Sequence, residues 1–443
     1  MKIALVQLGC PKNLVDGEWV LGQLREGGHQ LVPPEEAEAL LINTCAFIRD
    51  AKEESLEKII EAVELKKKGK ISKVVVFGCL SERYRDELAG ELPEVDGFFP
   101  LSAIREASSM LSGKTGGVFR SGDVPLPEKY SPRLRLTPPH LAYVKIGEGC
   151  GHSCSFCAIP MIRGKSRSRS LKSVMEELRK ASGSGAREAV IISQDTASWK
   201  GKDGSSSLCS MVKAINKAAL PIWVRIMYLY PTKVTTELIH AWSSSDAVLP
   251  YFDIPLQHAS GRVLEAMRRP GSAASYMRLI EKIRKTFNEP CIRSSFIVGF
   301  PNERKADHEE LISFLKDAEL DNVGFFEYSR EEGTPAYKLG DRVPSAVKRE
   351  RLEEAAAVQR EISAGKNSGK VGRVYKVLVE GVSEESDLLL EGRAWFQAPE
   401  IDGKTYITKG RAVTGGFSAV KITDAHHYDL AGEIVSGRKK NVG

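Results

Sequence analysis

Three cysteines in one short stretch are the residues of this chain best suited to hold a reactive metal centre. Cys150, Cys154 and Cys157 follow one another in a C-x₃-C-x₂-C run. A [4Fe–4S] cluster takes four thiolates, and three close cysteines with no obvious fourth leave one iron open. Because an open iron can chelate the amino and carboxylate groups of S-adenosylmethionine (SAM), the spacing predicts a cluster that binds SAM. A zinc or structural site is the alternative, although zinc sites more often pair two C-x₂-C knuckles.

Three more cysteines, far apart in the sequence, share a second pattern. Cys10, Cys45 and Cys79 each follow a short apolar run and each precede a helical stretch. Such runs predict buried parallel strands, whose carboxyl ends lie on one edge of a sheet, where ligands bind. The sequence therefore predicts that these thiols converge on a second iron–sulfur cluster, with ordinary buried core cysteines as the alternative. Cys209 and Cys291 fit no ligand spacing and are interpreted as packing thiols.

The composition is typical of an ordinary globular protein of two or three domains. The 443 residues carry 64 basic and 58 acidic side chains, and the formal net charge of +6 neither requires nor excludes nucleic acid as a partner. No apolar run approaches the length of a membrane span, and the N-terminus lacks the plan of a signal peptide. Because clustered cysteines in a reducing compartment indicate metal ligation rather than disulfides, we expect a cytoplasmic protein.

Changes of pattern along the chain predict an α/β multidomain fold. The expected units are an open parallel α/β sheet over 1–118, a proline-punctuated linker over 119–140, a partial TIM-like (β/α)6 barrel over 141–365, and a small antiparallel β-barrel of five strands over 369–436. Active sites of (β/α) barrels lie at the carboxyl ends of the strands. In the first unit, Asn13 with Asp16 three residues later predicts a capping-box-like helix start.

Side chains at the predicted carboxyl ends of the central strands are candidates for holding SAM or the substrate. They are Gln194, Asp195, Arg225, Gln257, His258, Gly299 and Glu303. For each of them ordinary loop hydrogen bonding is the alternative, and His258 could be a satisfied core histidine. The basic loop 163–169 could neutralise a carboxylate of SAM or substrate, or it could be a solvated face.

With these patterns in place, the chain resembles the radical-SAM methylthiotransferases over nearly its full length. The resemblance is carried by the cysteine sets and by segments 9–16, 43–48, 193–196, 252–258 and 393–403. The opening segment is similar to that of members that modify an aspartate of a small-subunit ribosomal protein. Members that modify tRNA tend to have Gln and Met after that cysteine, where this chain has Pro11 and Lys12.

Three positions depart from the family pattern. Gly17 stands where Ser is usual, and Ser170 replaces a proline at a helix start, a position that Ser also suits. Residues 302–304, Asn-Glu-Arg, replace Gly-Glu-Thr. Because Glu303 is kept, the departure puts the shape of this loop in doubt more than its function.

The resemblance implies a three-part plan, with an N-terminal cluster domain, a radical-SAM domain and a C-terminal TRAM barrel. It implies SAM and two [4Fe–4S] clusters, one on each cysteine set. In the implied chemistry a 5′-deoxyadenosyl radical removes hydrogen from the β-carbon of an aspartate, sulfur from the second cluster is added, and another SAM methylates it. The cofactors supply the difficult steps, so general-base residues are not expected to dominate.

The implied partners are a small-subunit ribosomal protein and an electron donor such as flavodoxin or ferredoxin, with RNA contact through the barrel and no membrane partner. The alternative is a methylthiotransferase acting on isopentenyladenosine in tRNA. Acidic residues largely offset basic ones over 369–436, whereas an RNA-binding barrel should carry a basic stripe. This balance favours a basic protein as the partner. A non-catalytic RNA-binding module with redox-sensing clusters is a third hypothesis.

Overall fold

The computed structural model describes residues 1–111, 123–128 and 132–435. The predicted domain limit at 118, the linker residues 119–122 and 129–131, and residue 436 of the predicted barrel lie outside the described residues. None of the helices in the described part is both long and apolar enough to cross a bilayer.

A sheet of five parallel strands forms the N-terminal part of the protein. The strands are β1 Lys2–Gln7, β2 Gln30–Leu31, β3 Ala39–Thr44, β4 Lys73–Gly78 and β5 Gly97–Phe99, and the helices are α1 Pro11–Glu26, α2 Arg49–Lys67, α3 Cys79–Glu91 and α4 Ile104–Leu111. The order across the sheet is β2-β1-β3-β4-β5, and every pair is parallel. All six residues of β3 are buried, as expected for a parallel strand covered on both faces.

The first helix begins earlier than the capping pattern predicts. Helix α1 starts at Pro11 with Cys10 as its N-cap residue and with no side-chain cap. Pro suits this position because its fixed φ is already helical and its missing N–H would have no partner. The prediction that Asn13 and Asp16 cap the helix is therefore wrong. Both side chains are buried, and they contact other parts of the chain.

The central part is a partial barrel of parallel strands flanked by helices. Its elements are β6 Leu141–Lys145, β7 Gly147–Glu148, α5 Ile159–Arg163, β8 Arg167–Ser168, α6 Leu171–Gly183, β9 Glu188–Ile192, α7 Leu208–Ala218, β10 Trp223–Ile226, α8 Thr236–Ser243, β11 Tyr251–Asp253, α9 Gly261–Ala266, α10 Ala273–Thr286, β12 Cys291–Val298, α11 Lys305–Ala318, β13 Asn322–Glu327 and α12 Ser345–Ser368. The main strands form two parallel sheets, β6-β9-β10 and β11-β12-β13. A parallel bridge between Val224 and Val248 joins them.

The segment before the central strands is docked rather than free. Arg133 is largely buried between the carboxylates of Glu18, on α1, and Glu177, on α6. Its guanidinium also donates to the carbonyl oxygen of Tyr143, 2.8 Å away. The backbone N–H of Leu136 donates to Glu18 Oε1 over 2.7 Å. These contacts tie the segment to helices of both neighbouring parts of the fold.

The C-terminal part is a closed barrel of five strands. They are β14 Val374–Ser383, β15 Ser386–Ala394, β16 Thr405–Lys409, β17 Phe417–Ala425 and β18 Leu430–Ile434. The order around the barrel is β14-β15-β16-β18-β17, with β16 and β18 parallel and the other pairs antiparallel. The α/β multidomain fold class predicted from the sequence is confirmed, including the parallel sheets and the small five-stranded barrel. The predicted antiparallel pairing holds for four of the five strand pairs and is wrong for β16 and β18, which are parallel.

A buried ion-pair network fastens this barrel to the central sheet. Glu188, at the start of β9, accepts from Arg225 Nε at 2.7 Å and pairs with Arg393 of β15 at 2.7 Å. Arg393 also pairs with Glu380 of β14 at 2.9 Å. Arg225 and Glu188 are fully buried. Two guanidiniums and two carboxylates thus balance one another at the interface.

Removing one of these charges should destabilise the protein. Glu188→Gln keeps the shape of the side chain but leaves two buried guanidiniums with too little negative charge, which should cost about 3–5 kcal/mol. We expect a clear fall in the urea midpoint of unfolding, followed by tryptophan fluorescence. Glu53→Gln is the matched control, because its ion pair with Arg49 is well exposed, and it should leave the midpoint unchanged. Equal midpoints for both variants would contradict the role given to the interface network.

Candidate active site

The three widely separated cysteines meet at the carboxyl edge of the N-terminal sheet. Cys10 precedes α1 after β1, Cys45 follows β3, and Cys79 opens α3 directly after β4. Strands β1, β3 and β4 are consecutive neighbours in the sheet, so their ends place the three residues side by side. Cys10, Cys45 and Cys79 are called the N-terminal cysteine set below.

Two glycines permit the close approach of these strand ends. At Gly9 (φ +82°) an added Cβ would lie 2.8 Å from Cys45 Cβ, and at Gly78 (φ +109°) it would lie 2.6 Å from the carbonyl oxygen of Thr44. Glycine alone tolerates both the positive φ and the short contact. The residues immediately before Cys10 and Cys79 are therefore glycines for a steric reason.

The thiols of the N-terminal set lie close enough to influence one another electrostatically. Burial, together with the neighbouring thiols Cys79 and Cys10, raises the pKa of Cys45 to about 12. Burial also raises the pKa of Cys79, partly offset by the guanidinium of Arg163. For Cys10 burial is outweighed by the positive charges of Lys12 and Arg163, which lower its pKa. Three crowded thiols beside cations fit the thiolate ligands of a metal cluster.

The clustered cysteines lie on a loop between β7 and α5, held at several backbone positions. The N–H of Cys150 donates to the carbonyl oxygen of Gly164 over 3.1 Å, and the N–H of Ser155 donates to that of Met267 over 2.9 Å. Burial raises the pKa of Cys150, and it raises that of Cys157 to about 12, with Cys154 and Cys150 adding to the shift in Cys157. Cys150, Cys154 and Cys157 are called the loop cysteine set below.

The number of thiols in each set suits a [4Fe–4S] cluster with one open iron. In such a cluster each thiolate binds a different iron, and each set supplies three cysteines. Among the described residues no three His, Cys, Asp or Glu side chains are arranged to hold one metal ion.

Arg163 connects the two cysteine sets. It ends α5, shortly after the loop set, and its side chain is 2% exposed. Its Nη1 lies 2.7 Å from Asp16 Oδ2 and 3.1 Å from Glu148 Oε2. Its Nη2 lies 3.0 Å from Asn13 Oδ1 and 3.4 Å from the sulfur of Cys79. One guanidinium thus joins the loop that carries one set to the helix and the thiol of the other.

A second buried cation completes the network around Arg163. Lys145, at the end of β6, pairs with Asp16 and lies 2.7 Å from Glu148 Oε2. Burial opposes ionisation of Glu148, but Arg163 and Lys145 outweigh it and lower its pKa to about 2. Gln194 Nε2 donates to Glu148 Oε1 over 2.6 Å. The predicted site residue Gln194 therefore orients Glu148 rather than standing free in the site.

Asp195, another predicted site residue, lies beside the loop cysteine set. Its Oδ2 is 2.7 Å from Nε2 of His152, which lies between Cys150 and Cys154 in the sequence. The His152 ring stacks on Tyr230 with centroids 3.5 Å apart. The N–H of Tyr230 donates to Asp195 Oδ1 over 3.3 Å. Asp195 thereby links the ends of β9 and β10 to the cysteine loop.

Gln257 and His258 lie just beyond β11 and extend the same edge. Gln257 has φ +73° and pairs through its backbone with Ser295 and Ile297 of β12. The Nδ1 of His258 accepts from the N–H of Ser260 over 3.0 Å. Burial lowers the pKa of His258 to about 3, so this histidine is neutral near pH 7. The side chain is fully buried, but its Nε2 has no hydrogen-bond partner among the described residues, with Glu303 Oε2 3.8 Å away. His258 is therefore not the satisfied core histidine of the alternative.

Gly299 and Glu303 form a closed turn after β12. Glu303 Oε2 accepts from the N–H of Phe300 over 3.0 Å, and Oε1 accepts from Arg351 of α12 over 2.9 Å. Burial raises the pKa of Glu303, partly offset by Arg351. Gly299 has φ +73°, and a Cβ there would lie 2.4 Å from Lys348 Cγ. Helix α12 braces the turn through Arg351 and Lys348. The turn makes these contacts although residues 302–304 depart from the family pattern.

Arg225 is not brought to this edge. It lies in the interface network with Glu188 and Arg393, and its guanidinium lies 4.4 Å from the ring centroid of Tyr251. Its donors therefore serve the junction with the C-terminal barrel. The sequence pattern places Arg225 on a strand, as observed, but it does not specify the direction in which the side chain points.

The basic loop 163–169 is buried at its two ends and exposed at residues 164–166. Arg163 contacts Asp16 and Glu148, and Arg169, 4% exposed, pairs with Glu177. For these two arginines the solvated-face alternative is wrong.

Sequence reasoning missed four residues that contact the cysteine sets or the edge between them. They are His152, Arg269, Lys12 and Tyr228. Arg269 Nη1 lies 3.6 Å from the sulfur of Cys154, and Lys12 lies against the ring of Tyr228. Sequence position offered a signal for two of them, since His152 lies inside the C-x₃-C-x₂-C run and Lys12 lies two residues after Cys10. Arg269 and Tyr228 carry no such signal, because only the folding of distant loops brings them to the site.

Comparison with known proteins identifies three families along the chain. Residues 2–100 match the family described as Uncharacterized protein family UPF0004, residues 144–315 match the Radical SAM superfamily, and residues 371–435 match the TRAM domain. The matches follow the order of the N-terminal sheet, the partial barrel and the small closed barrel.

The structure is also similar to solved radical-SAM enzymes. The methyltransferase TsrM from Kitasatospora setae matches with a TM-score of 0.53 and 12% identity, over 73% of this chain and 72% of that chain. The cobalamin-dependent enzyme OxsB matches with a TM-score of 0.52 and 13% identity, over 80% of this chain and 56% of that chain. At such identities the likeness shows the fold alone.

Curated proteins are similar over nearly the whole chain. The ribosomal protein uS12 methylthiotransferase RimO of Aquifex aeolicus is 44% identical over 436 residues, covering 98% of this chain and 97% of that protein. The protein of the same name from Pelotomaculum thermopropionicum is 42% identical over 444 residues, covering 98% and 99%. With the three matching domains and the two cysteine sets, this identity shows that the chain belongs to the RimO family of radical-SAM methylthiotransferases.

Proposed function

We propose that this enzyme attaches a methylthio group to the β-carbon of an aspartate in ribosomal protein uS12, using SAM and two [4Fe–4S] clusters. The substrate is proposed from the names of the relatives, which act on uS12. The observation that carries the proposal is the contact of Arg163, which ends the helix that follows the loop cysteine set, with the sulfur of Cys79 in the N-terminal set.

Each cysteine set would hold one cluster with an iron left open. Cys150, Cys154 and Cys157 would hold the cluster that binds SAM, and Cys10, Cys45 and Cys79 the cluster that handles sulfur. Three thiolates for four irons leave one coordination position each. When bound, these cofactors would pass on the electron from the donor and supply the radical, the sulfur and the methyl group. The chain supplies position, charge and exclusion of water.

The residues around the loop set are proposed to shape the SAM site. Asp195 and His152 brace the loop across the ends of β9 and β10, and Gln194 holds Glu148 in place. The far wall of the SAM site would be formed, through backbone groups and a closed turn, by Gln257, His258, Gly299 and Glu303. Because burial lowers the pKa of His258 to about 3, its neutral imidazole is a weak base. This agrees with chemistry in which a radical, not a base, breaks the C–H bond.

A protein substrate is favoured over tRNA by the charge pattern of the small barrel. Several of its basic side chains are already paired with carboxylates, among them Arg393 with Glu380 and Lys404 with Glu391. An RNA-binding surface needs unpaired cations to neutralise phosphates. RNA contact through this barrel during binding of uS12 in its ribosomal setting is proposed as a secondary interaction.

The protein is also proposed to work in the cytoplasm with a flavodoxin or a ferredoxin as electron donor. None of the eight cysteines is in a disulfide, and iron–sulfur ligands must remain as thiolates. A reducing compartment favours that state.

Iron content tests the assignment of the cysteines. After anaerobic reconstitution the wild-type chain should bind about eight irons, because each full cluster contains four. A Cys10→Ala, Cys45→Ala, Cys79→Ala triple variant and the equivalent triple variant of the loop set should each retain about four. Cys209→Ala is the matched control, because this buried thiol lies on α7, outside both sets. If either triple variant still bound the wild-type amount of iron, that set would not hold a cluster.

Substrate identity is tested by giving the enzyme each of the two candidate substrates under the same conditions. Reduced enzyme with SAM and sulfide should convert uS12 to a product carrying one methylthio group, located on a single aspartate by peptide mass spectrometry. Isopentenyladenosine-containing tRNA under the same conditions should remain unmodified. Modification of the tRNA alone would replace the uS12 proposal with the tRNA alternative.

A further inference from the structure

Lys12 is a cation without a carboxylate partner beside the N-terminal cysteine set. It stands in the first turn of α1, two residues after Cys10, and is partly buried. Its Nζ lies 3.2 Å from the ring centroid of Tyr228. Within the ranges 1–111, 123–128 and 132–435, no carboxylate forms an ion pair with it. A partly buried ammonium is normally paired with a carboxylate, because desolvating a charge is costly. Lys12 instead acts on the thiol of Cys10, whose pKa it lowers, and on the side chain of Tyr228.

The partner ring is held in a strained conformation. Tyr228 follows β10 and has φ +63°, a left-handed conformation that is unfavourable for a bulky side chain. Its N–H donates to Asp253 Oδ2 over 3.0 Å, and its carbonyl oxygen accepts from the N–H of Thr196 over 2.9 Å. These bonds fix Tyr228 between the ends of β9 and β11. Strain maintained in this way is typical of functional positions, and here it presents the ring to Lys12.

The two neighbouring arginines, Arg163 and Arg269, have partners other than the N-terminal approach that Lys12 faces. Arg163 is neutralised by Asp16 and Glu148. Arg269 has no carboxylate among the described residues, but it lies on the sulfur of Cys154 and donates to the carbonyl oxygen of Pro255 over 2.6 Å. Arg269 therefore suits a molecule bound at the loop set. Lys12 suits a molecule that must approach the N-terminal set.

We propose that Lys12 binds the side-chain carboxylate of the substrate aspartate and so selects an acidic residue at the sulfur-accepting position. The inference rests on the proposed function, because it needs a protein substrate with an aspartate. The aspartate must bring a negative charge into the space between the two sets, and an ammonium there provides a charge-assisted hydrogen bond. Tyr228 positions the ammonium by a cation–π contact. A neutral adenine base would offer this ammonium hydrogen-bond acceptors but no negative charge.

A double-mutant cycle tests the pairing. Reconstituted holoenzymes of wild type and Lys12→Met are measured for binding of uS12 and for kcat/KM, with uS12 carrying either the native aspartate or asparagine at the modified position. Loss of one charge-assisted partner should lower binding of the native substrate roughly ten- to a hundredfold. The asparagine substrate should be weakened similarly in the wild type, and Lys12→Met should then weaken it little further.

Further measurements separate this role from a structural one. Iron content and the dissociation constant for SAM should be unchanged in Lys12→Met, and Lys12→Arg should recover part of the binding. Lys58→Met, which removes a surface lysine paired with Glu61 on α2, should match the wild type throughout.

Three results would overturn the inference. The first is equal binding of the aspartate and asparagine substrates by the wild type, a measurement that needs no enzyme variant. The second is additive effects of the two substitutions in the cycle. The third is loss of SAM affinity in Lys12→Met. Failure of the proposed function would look different, because the wild type would then leave native uS12 unmodified.

Discussion

The buried charge balance around Arg163 is the constraint on which the arrangement of the active site depends. Arg163 and Lys145 come from the central part of the fold, as does Glu148, whereas Asp16 comes from the N-terminal helix α1. Without Asp16 the central part would bury two cations against one carboxylate. Because an uncompensated buried charge costs several kcal/mol, about 3–5 when one partner is removed, the two parts are stable together only where all four groups meet. That position also places Arg163 against Cys79.

The same physical device recurs at two other junctions. Arg133 and Arg169 are matched by Glu18 and Glu177 where α1 meets the central part. Arg225 and Arg393 are matched by Glu188 and Glu380 at the small barrel. A hydrophobic contact tolerates sliding, whereas a balanced network of four charges loses its compensation when one partner moves. Each junction therefore favours one relative placement.

A fixed placement of the domains matters for this chemistry. In the proposed function a radical generated at the loop set would have to reach a substrate carbon near the N-terminal set, with water and stray hydrogen donors kept out. The buried, balanced ion pairs would keep the parts that carry the two sets in one placement, and exclusion of water strengthens every charge interaction there. The neutral His258 and the ionised Glu148 both follow from this environment, since burial disfavours charge unless a partner is present.

Local patterns in the sequence predicted much of this structure correctly. The C-x₃-C-x₂-C spacing, the apolar runs before Cys10, Cys45 and Cys79, and the alternation of strands and helices indicated the fold class and the family. The assignment of clusters and of SAM contacts to particular residues remains a prediction. Local pattern failed where a polar residue was used at long range. Asn13 and Asp16 look like helix caps in sequence, yet they bind Arg163, 150 and 147 residues away.

The sequence by itself therefore determined which elements form and which side chains can ligate metal, because both depend on the order of nearby residues. Tertiary structure alone decided which charges face one another. The direction of Arg225 toward the small barrel, the burial of Arg163 and the contact of Lys12 with Tyr228 arise only when distant segments pack together. The energy of a buried charge depends on its neighbours in space, and residue order does not specify those neighbours.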